Sequence, residues 1–201
     1  MIYKSILNYL LPILAYFLGS ISPAKLFSKM KRVNFEEMGR NPGTANIYRF
    51  FGLWAAFWVF FIDVAKGLLP VIAARLLNLS EWAVIATAIL TVAGHNWPVY
   101  HRFRGGGGLA TSIPVIAYLL PIEFLIAFPI AIIAGFIRHW IPLGGIVGLA
   151  VIAILVFIFR EPAYLVVFIF ALSMLLIIRQ LGVIRNFLRK RSSTNKIETQ
   201  E

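Results

Sequence analysis

The sequence predicts an all-α polytopic membrane protein with about seven transmembrane helices. Three observations carry that prediction. Of its 201 residues, 60% are hydrophobic and only 13% are charged, more apolar surface than a soluble domain of this size needs. The apolar residues gather in long runs, several near the roughly 20 residues that a helix needs to cross a bilayer. The basic residues, which bring the net charge to +11, fall in the short intervals between those runs. There they set orientation and meet anionic lipid, so nucleic acid is not the expected partner. The chain has no cysteine, which excludes disulfides, thiolate metal ligands and a thioester nucleophile.

The first span covers about residues 5–23 and ends in Gly19-Ser20-Ile21-Ser22-Pro23. It resembles a signal peptide in length, but the apolar runs downstream identify it as a span. Residues 24–50 form the longest polar stretch, with Lys25, Lys29, Lys31, Arg32, Arg40 and Arg49 against Glu36 and Glu37. The positive-inside rule places that stretch in the cytoplasm and the N-terminus outside. A second span covers about 51–77. A short external turn, Asn78-Leu79-Ser80, leads to a third at about 81–100.

From 109 to 180 the chain is almost continuously apolar, and parity divides it. The tail, with Arg185, Arg189, Lys190, Arg191 and Lys196, is basic, as is the loop before Leu109. Both belong inside, so an even number of spans joins them. Two are too few at roughly 20 residues a crossing, which leaves four and a total of seven. The breaks fall at Leu120-Pro121, Arg138 to Pro142 and Arg160 to Pro162. At Pro121 the alternative is one long kinked helix over 112–137. Residues 1–191 read as a single integral membrane domain, and 192–201 as a polar, frayed tail. No strong internal repeat is present, which disfavours an inverted-repeat transporter.

The chemistry concentrates in Gly94-His95-Asn96-Trp97-Pro98-Val99-Tyr100-His101-Arg102-Phe103-Arg104-Gly105-Gly106-Gly107-Gly108-Leu109-Ala110-Thr111. Four consecutive glycines can turn backbone N–H groups toward an anion, and Arg102 and Arg104 add charge beside them. A helix opening at Leu109 aims its N-terminal N–H groups at the same place. The alternative is a flexible loop whose arginines anchor the membrane surface. No Gly-Lys-Ser/Thr follows, so this is not a nucleotide P-loop. His95 closes the third span beside the glycines, either as a working imidazole or as a helix cap.

A second cluster, Gly39-Arg40-Asn41-Pro42-Gly43-Thr44-Ala45-Asn46-Ile47-Tyr48-Arg49, offers turns, amides and an arginine that can fork an anion. Asp63 and Lys66 share a helix face, where they either pair or let Lys66 reach a substrate. Glu123 belongs near the outer surface, away from the glycines, so paired-carboxylate catalysis is not expected. His95, His101 and His139 lack a metal-ligand spacing, and no metal or organic cofactor is implied. No His-x-x-x-x-Asp pair occurs, which argues against soluble-type glycerolipid acyltransferase machinery.

In these motifs the chain resembles the bacterial acyl-phosphate:glycerol-3-phosphate acyltransferases. Gly19 to Pro23 is similar to the family's Gly-Ser-Ile-Pro motif, and Met38 to Arg49 to its Gly-Ser-Gly-Asn-Ile-Gly-Ala-Thr-Asn-x-x-Arg loop. Asp63-Val64-Ala65-Lys66-Gly67 matches Asp-x-x-Lys-Gly, and Gly94 to Thr111 matches the long Gly-His to Ala-Thr stretch. The likeness is specific over about 16–111 and implies seven spans with an external N-terminus. The departures are a serine replaced by Gly39, a lysine by Gly107, and a C-terminal Arg-His-Arg-x-Asn that stands as Arg179-Gln180-Leu181-Gly182-Val183.

The resemblance implies acyl transfer from an acyl phosphate to glycerol 3-phosphate, forming lysophosphatidic acid on the cytoplasmic side of the inner membrane. Catalytic roles then fall to His95, Arg49 and Arg104. Substrate and phosphate contacts fall to Asn41, Gly43, Thr44, Asn46, Arg49, Lys66, Arg102, Gly105, Gly106, Gly107, Gly108, Thr111 and Gln180. The replaced residues raise a rival, a non-catalytic paralogue that binds acyl phosphate or anionic lipid. A small transporter is the third reading.

Overall fold

The structure, a computed structural model, describes residues 2–33, 43–137 and 141–198, with side chains from Tyr3 through Leu181 apart from Ile141 and Pro142 in that range. These residues are all helical or irregular. In order they form α1 (Ile2–Gly19), α2 (Pro23–Met30), α3 (Thr44–Leu76), α4 (Glu81–Asn96), a 3-10 turn (Val99–His101), α5 (Leu109–Leu119), α6 (Pro121–Ile137), α7 (Ile141–Ile158) and α8 (Ala163–Glu198).

Among the described residues three stretches are long and apolar enough to cross a membrane: Tyr3–Met30, Thr44–Leu76 and Ala163–Leu181. Leu109–Leu119, Pro121–Ile137 and Leu143–Ile158 are shorter apolar helices. The breaks expected near Pro121 and Pro162 are present. Leu120 leaves helical geometry at φ −135° and ψ 62°, and Pro121 then opens α6, where a missing N–H costs nothing. Arg160 turns the chain in left-handed geometry at φ 58° before α8. Helix α8 continues to Glu198, through the basic segment and into the polar residues from Ser192.

Helix α3, where the second span is expected, begins earlier than the sequence suggests. It opens at Thr44 rather than near residue 51, behind an extended Gly43, and bends at Gly52 (φ 80°, ψ −177°). Thr44, Asn46 and Arg49 therefore ride on a short helical segment ahead of the kink, whereas the sequence reads them as loop. A positive φ is accessible to glycine without a Cβ clash, so Gly52 lets one stretch change direction without ending.

Helix α4 is the centre of the packing. It lies against α1, α3, α5 and α8 and buries Val84, Ile85, Ala88 and Val92, which meet Val115 of α5 and Phe168, Ile169 and Leu172 of α8. Small residues bring the helices close, the usual driving geometry where lipid supplies no hydrophobic contrast. A Cβ at Gly19 would lie 2.1 Å from the Thr91 carbonyl oxygen, and one at Gly94 2.1 Å from that of Tyr16. Gly67 meets the Thr111 carbonyl in the same way, at 2.4 Å. These contacts fix α1 on α4 and α3 on α5, and so bring the ends of α1 and α4, the middle of α3 and the start of α5 together around residues 95–111. At the other end Ser80 caps α4 by accepting from the Ala83 N–H at 3.3 Å, and Arg75 pairs with Glu81 across the turn.

Candidate active site

The segment from Trp97 to Gly108 is held from beneath by α1. The Tyr16 hydroxyl donates to the Trp97 carbonyl at 2.7 Å, and the Val99 N–H reaches the Ser20 hydroxyl at 3.4 Å. Arg102 and Phe103 then take left-handed geometry, φ 51° and 60°, which folds the chain back over the end of α4. The result is a tight hairpin-like loop: Gly106 N–H donates to the His95 carbonyl at 3.2 Å. Gly105 packs on the same carbonyl so closely that a Cβ there would lie 2.1 Å from it.

His95 is buried, and its two ring nitrogens border different elements. Its Nδ1 lies 3.4 Å from the Asp63 carboxylate. Its Nε2 faces Gly106, where a Cβ would stand 2.2 Å away. Asp63 in turn pairs with Lys66 at 2.9 Å, and the Lys66 ammonium donates to the Ile21 carbonyl at 2.7 Å. That carbonyl lies beyond the end of α1, with Pro23 two residues on, so the ammonium meets an acceptor outside the α1 helix. Asp63 is 1% and Lys66 5% exposed, which makes this a buried ion pair whose partners sit on consecutive turns of one helix. These polar and charged groups thus form one chain of contacts, from the α1–α2 joint through α3 to α4 and the glycine loop.

Arg179 of α8 meets the loop from the other side. Its Nε donates to the Gly106 carbonyl at 2.8 Å, and its Nη2 to the Gly105 carbonyl. Between these clamps lies the start of α5. Gly108 precedes it in left-handed geometry, φ 84°, with no side-chain cap on the helix. Two buried polar groups line this N-terminus. The Asn96 amide is fully buried against Gly108, and the Thr111 hydroxyl is buried one turn on. Neither has a hydrogen-bond partner among the described residues. Unpartnered buried amides and hydroxyls are costly, and here they converge on an uncapped helix N-terminus, a place suited to an anion.

The expected site residues divide accordingly. Gly105, Gly106, Gly107, Gly108, Thr111 and His95 come together, with Gln180 buried on α8 beside Arg179 in sequence. Arg102 and Arg104 are exposed on the outer turn of the loop, and Arg49 is exposed on the first segment of α3. Gly43, Thr44 and Asn46 are partly buried at the start of α3. Lys66 is engaged by Asp63 and Ile21 as described. Asn41 and Gly39 lie outside the described residues, and so does the side chain of Val183. One refinement concerns the cradle itself: the Gly106 N–H is taken by the His95 carbonyl, so it is not a free donor.

The sequence reading gave no site role of their own to Arg179, which heads the stretch likened to the family's C-terminal motif, or to Asn96, which lies in the Gly94 to Thr111 stretch. Arg179 ends a long apolar run, and a lone charge there is itself a signal. Asn96 carries no such mark, since only the fold shows its amide without a partner.

Beside Leu109, the first residue of α5, opens a cavity of about 470 Å³ between α5, α6, α7 and α8. Leu109 and Ser112 border it near the loop, and Ile116, Phe128, Gly148 and Leu176 line it further on. Its volume lies in the range of small-molecule sites.

Comparison with known proteins fits this arrangement. Residues 9–190 match the family model described as glycerol-3-phosphate acyltransferase. A glycerol-3-phosphate acyltransferase of Thermoanaerobacter sp. (strain X514) is 35% identical over 178 residues, covering 88% of this chain and 89% of the relative. One from Thermus thermophilus is 33% identical over 165 residues, covering 82% and 83%. Among solved structures, the glycerol 3-phosphate form of PlsY (YgiH), an integral membrane glycerol 3-phosphate acyltransferase, superposes with a TM-score of 0.83 at 28% identity, covering 92% of this chain and 93% of that one. Its lysophosphatidic acid form superposes with a TM-score of 0.78 over the same shares. With the motif order, the helical fold and nearly the whole chain in agreement, this chain belongs to the glycerol-3-phosphate acyltransferase family, membrane proteins of phospholipid synthesis.

Proposed function

We propose that this chain transfers an acyl group from an acyl phosphate to glycerol 3-phosphate, forming lysophosphatidic acid and inorganic phosphate. The observation that carries this reading is the junction at Leu109. An uncapped helix N-terminus with glycine N–H groups sits at the mouth of an apolar cavity, as a ligand with a phosphate head and a hydrocarbon tail requires. The glycerol hydroxyl attacks the acyl carbonyl, the carbonyl–oxygen bond to phosphate breaks, and phosphate leaves carrying the new charge. The hydroxyl proton goes to a base or to the phosphate itself. Positioning and stabilisation of that leaving phosphate are the main physical demands.

Gly105, Gly107, Gly108 and the first turn of α5 receive the donor phosphate in this reading, with Asn96 and Thr111 as the buried polar floor. Arg102, Arg104 and Arg49 supply positive charge from the exposed rim, and Asn41, Gly43, Thr44, Asn46 and Gln180 complete the acceptor side. His95 acts first by seating the loop, since its carbonyl accepts from the Gly106 N–H. The glycine loop and C-terminus face the cytoplasm, the N-terminus lies outside, and the membrane is the bacterial inner membrane, crossed seven times.

Purified protein in detergent or lipidic phase, given palmitoyl phosphate and labelled glycerol 3-phosphate, tests the assignment. Lysophosphatidic acid that forms with wild type and disappears in Arg49→Ala supports it. Turnover unchanged by that substitution overturns it. Bound acyl phosphate without product would favour the non-catalytic paralogue, a reading that draws on the missing lysine at Gly107.

A further inference from the structure

The two hydrogen bonds from Arg179 do something that a phosphate ligand would not. Its guanidinium accommodates two successive carbonyls, Gly105 and Gly106, on Nη2 and Nε. A peptide group is planar and trans, so its carbonyl and the next N–H point in opposite directions. Holding the Gly105 carbonyl therefore sends the Gly106 N–H away from α8, and it duly meets the His95 carbonyl at 3.2 Å. Holding the Gly106 carbonyl sends the Gly107 N–H away from α8 as well. Among the described residues, its own chain neighbours aside, no heavy atom lies within 4 Å of where a Gly107 Cβ would stand, so this part of the loop borders open space. A cation on the carbonyl side also polarises both peptides and strengthens their N–H donors.

From this geometry we infer that Arg179 is a positioning residue, which sets the peptide planes of the glycine loop so that the Gly107 N–H and the α5 N-terminus present to an anion. The inference rests on the reading of the loop as a phosphate site. It assigns Arg179 a role through the loop backbone rather than through direct contact with substrate. Four glycines in succession have little intrinsic preference for one conformation, and the clamp from α8 supplies it. The fork geometry is specific. A planar guanidinium reaches two adjacent carbonyls at once, whereas the single ammonium of lysine is a point charge.

The test compares wild type with Arg179→Lys, Arg179→Ala and Arg179→Gln in detergent, with two readouts. The first is hydrogen exchange of the peptide covering residues 104–109 without ligand. The second is calorimetric binding of hexadecyl phosphate, an alkyl phosphate with no acyl group to transfer. Loop exchange should accelerate and affinity should fall about tenfold or more in all three variants, the scale of a lost charge-assisted hydrogen bond. Millimolar guanidinium, but not ammonium, should restore both properties to Arg179→Ala. Thermal unfolding of each variant separates this from global loss of structure, and Arg179→Gln keeps the comparison if alanine does not fold. Weakened binding with unchanged loop exchange would mean that Arg179 touches the phosphate itself and would overturn the positioning role. So would a lysine variant equal to wild type. If wild type binds no alkyl phosphate, the functional reading falls, and unchanged exchange in the variants would still separately refute the clamp.

Discussion

An alanine scan of the glycine loop should give an uneven result that follows from the spaces around each glycine. At Gly105 a Cβ would stand 2.1 Å from the His95 carbonyl oxygen, 2.5 Å from Pro98 Cδ and 2.8 Å from the Asn96 carbonyl oxygen. Two of these are backbone atoms at the end of α4, which cannot swing aside, so the loop itself must move. At Gly106 the obstacle is the His95 ring, 2.2 Å from the new Cβ at Nε2. A ring can shift, but this one is packed against Asp63. At Gly107 a Cβ would meet no atom of the described residues within 4 Å beyond its chain neighbours, and its φ is not in the left-handed region. Overpacking of this kind costs about 1–3 kcal/mol, and displacing a positioning group by ~1 Å can cost about a hundredfold in rate. Gly105→Ala should therefore lose roughly a hundredfold in acyl transfer, Gly106→Ala something smaller but clear, and Gly107→Ala no more than about twofold. Initial rates with palmitoyl phosphate and glycerol 3-phosphate measure this, with unfolding temperatures run alongside. A Gly107→Ala variant as damaged as Gly105→Ala would refute this loop conformation.

Other expectations follow from the same packing. Lys66→Met leaves Asp63 charged and buried, and breaking a buried pair in this way costs about 3–5 kcal/mol; thermal unfolding should show Asp63→Asn/Lys66→Met recovering part of that loss, and equal destabilisation by single and double variants would count against the pair. Ile116→Trp fills the cavity about 10 Å along α5 from Leu109. It should lower turnover of palmitoyl phosphate relative to decanoyl phosphate about tenfold, roughly 1.4 kcal/mol of lost contact and clash, and an unchanged ratio would place the chain elsewhere. Burial and the neighbouring Glu123 raise the carboxyl pKa of Glu161, on the α7–α8 turn, above its ordinary 4.5. The folded state then holds its proton more tightly than the unfolded one, so this group stabilises below pH 4.5 and loses that contribution as pH climbs through the raised value. Unfolding temperature against pH should decline through that window, and Glu161→Gln should flatten the decline.

Gly107, which the resemblance aligns with a lysine of the family's motif, bears on the proposed mechanism. Because a side chain at that position would point into open space, a lysine there would add a charge without altering the path of the backbone that Arg179 and His95 hold. In the proposed site the nearby positive charge of the loop lies on Arg102 and Arg104, both exposed. Charges in solvent contribute less to a bound phosphate and are screened by salt. Binding of alkyl phosphate by wild type should accordingly weaken with added salt, and Gly107→Lys should both tighten binding and make it less salt-sensitive.

Sequence reading reached some parts of this site and missed others for physical reasons. Hydropathy and turn chemistry placed the helix breaks at Pro121 and Pro162, because proline and polar residues act locally on the backbone. The i,i+3 spacing of Asp63 and Lys66 put both on one face of α3, and their ion pair forms there. The glycine run likewise marked a loop, which the structure folds back over the end of α4. What pattern could not show were interactions set by residues far apart in the chain. The start of α3 at Thr44 depends on a kink at Gly52 that polarity does not encode. The Gly106 N–H looks like a donor for phosphate until the fold returns it to His95, eleven residues earlier. Arg179 lies more than seventy residues from the glycines it clamps, and its immediate neighbours are apolar except for Gln180. Its importance arises only because α8 packs on α4, which carries that arginine to the carbonyl side of the loop. The loop's sequence supplies freedom, and the remote contact removes it. Activity in this chain should for that reason depend as steeply on Arg179 as on any glycine it orders.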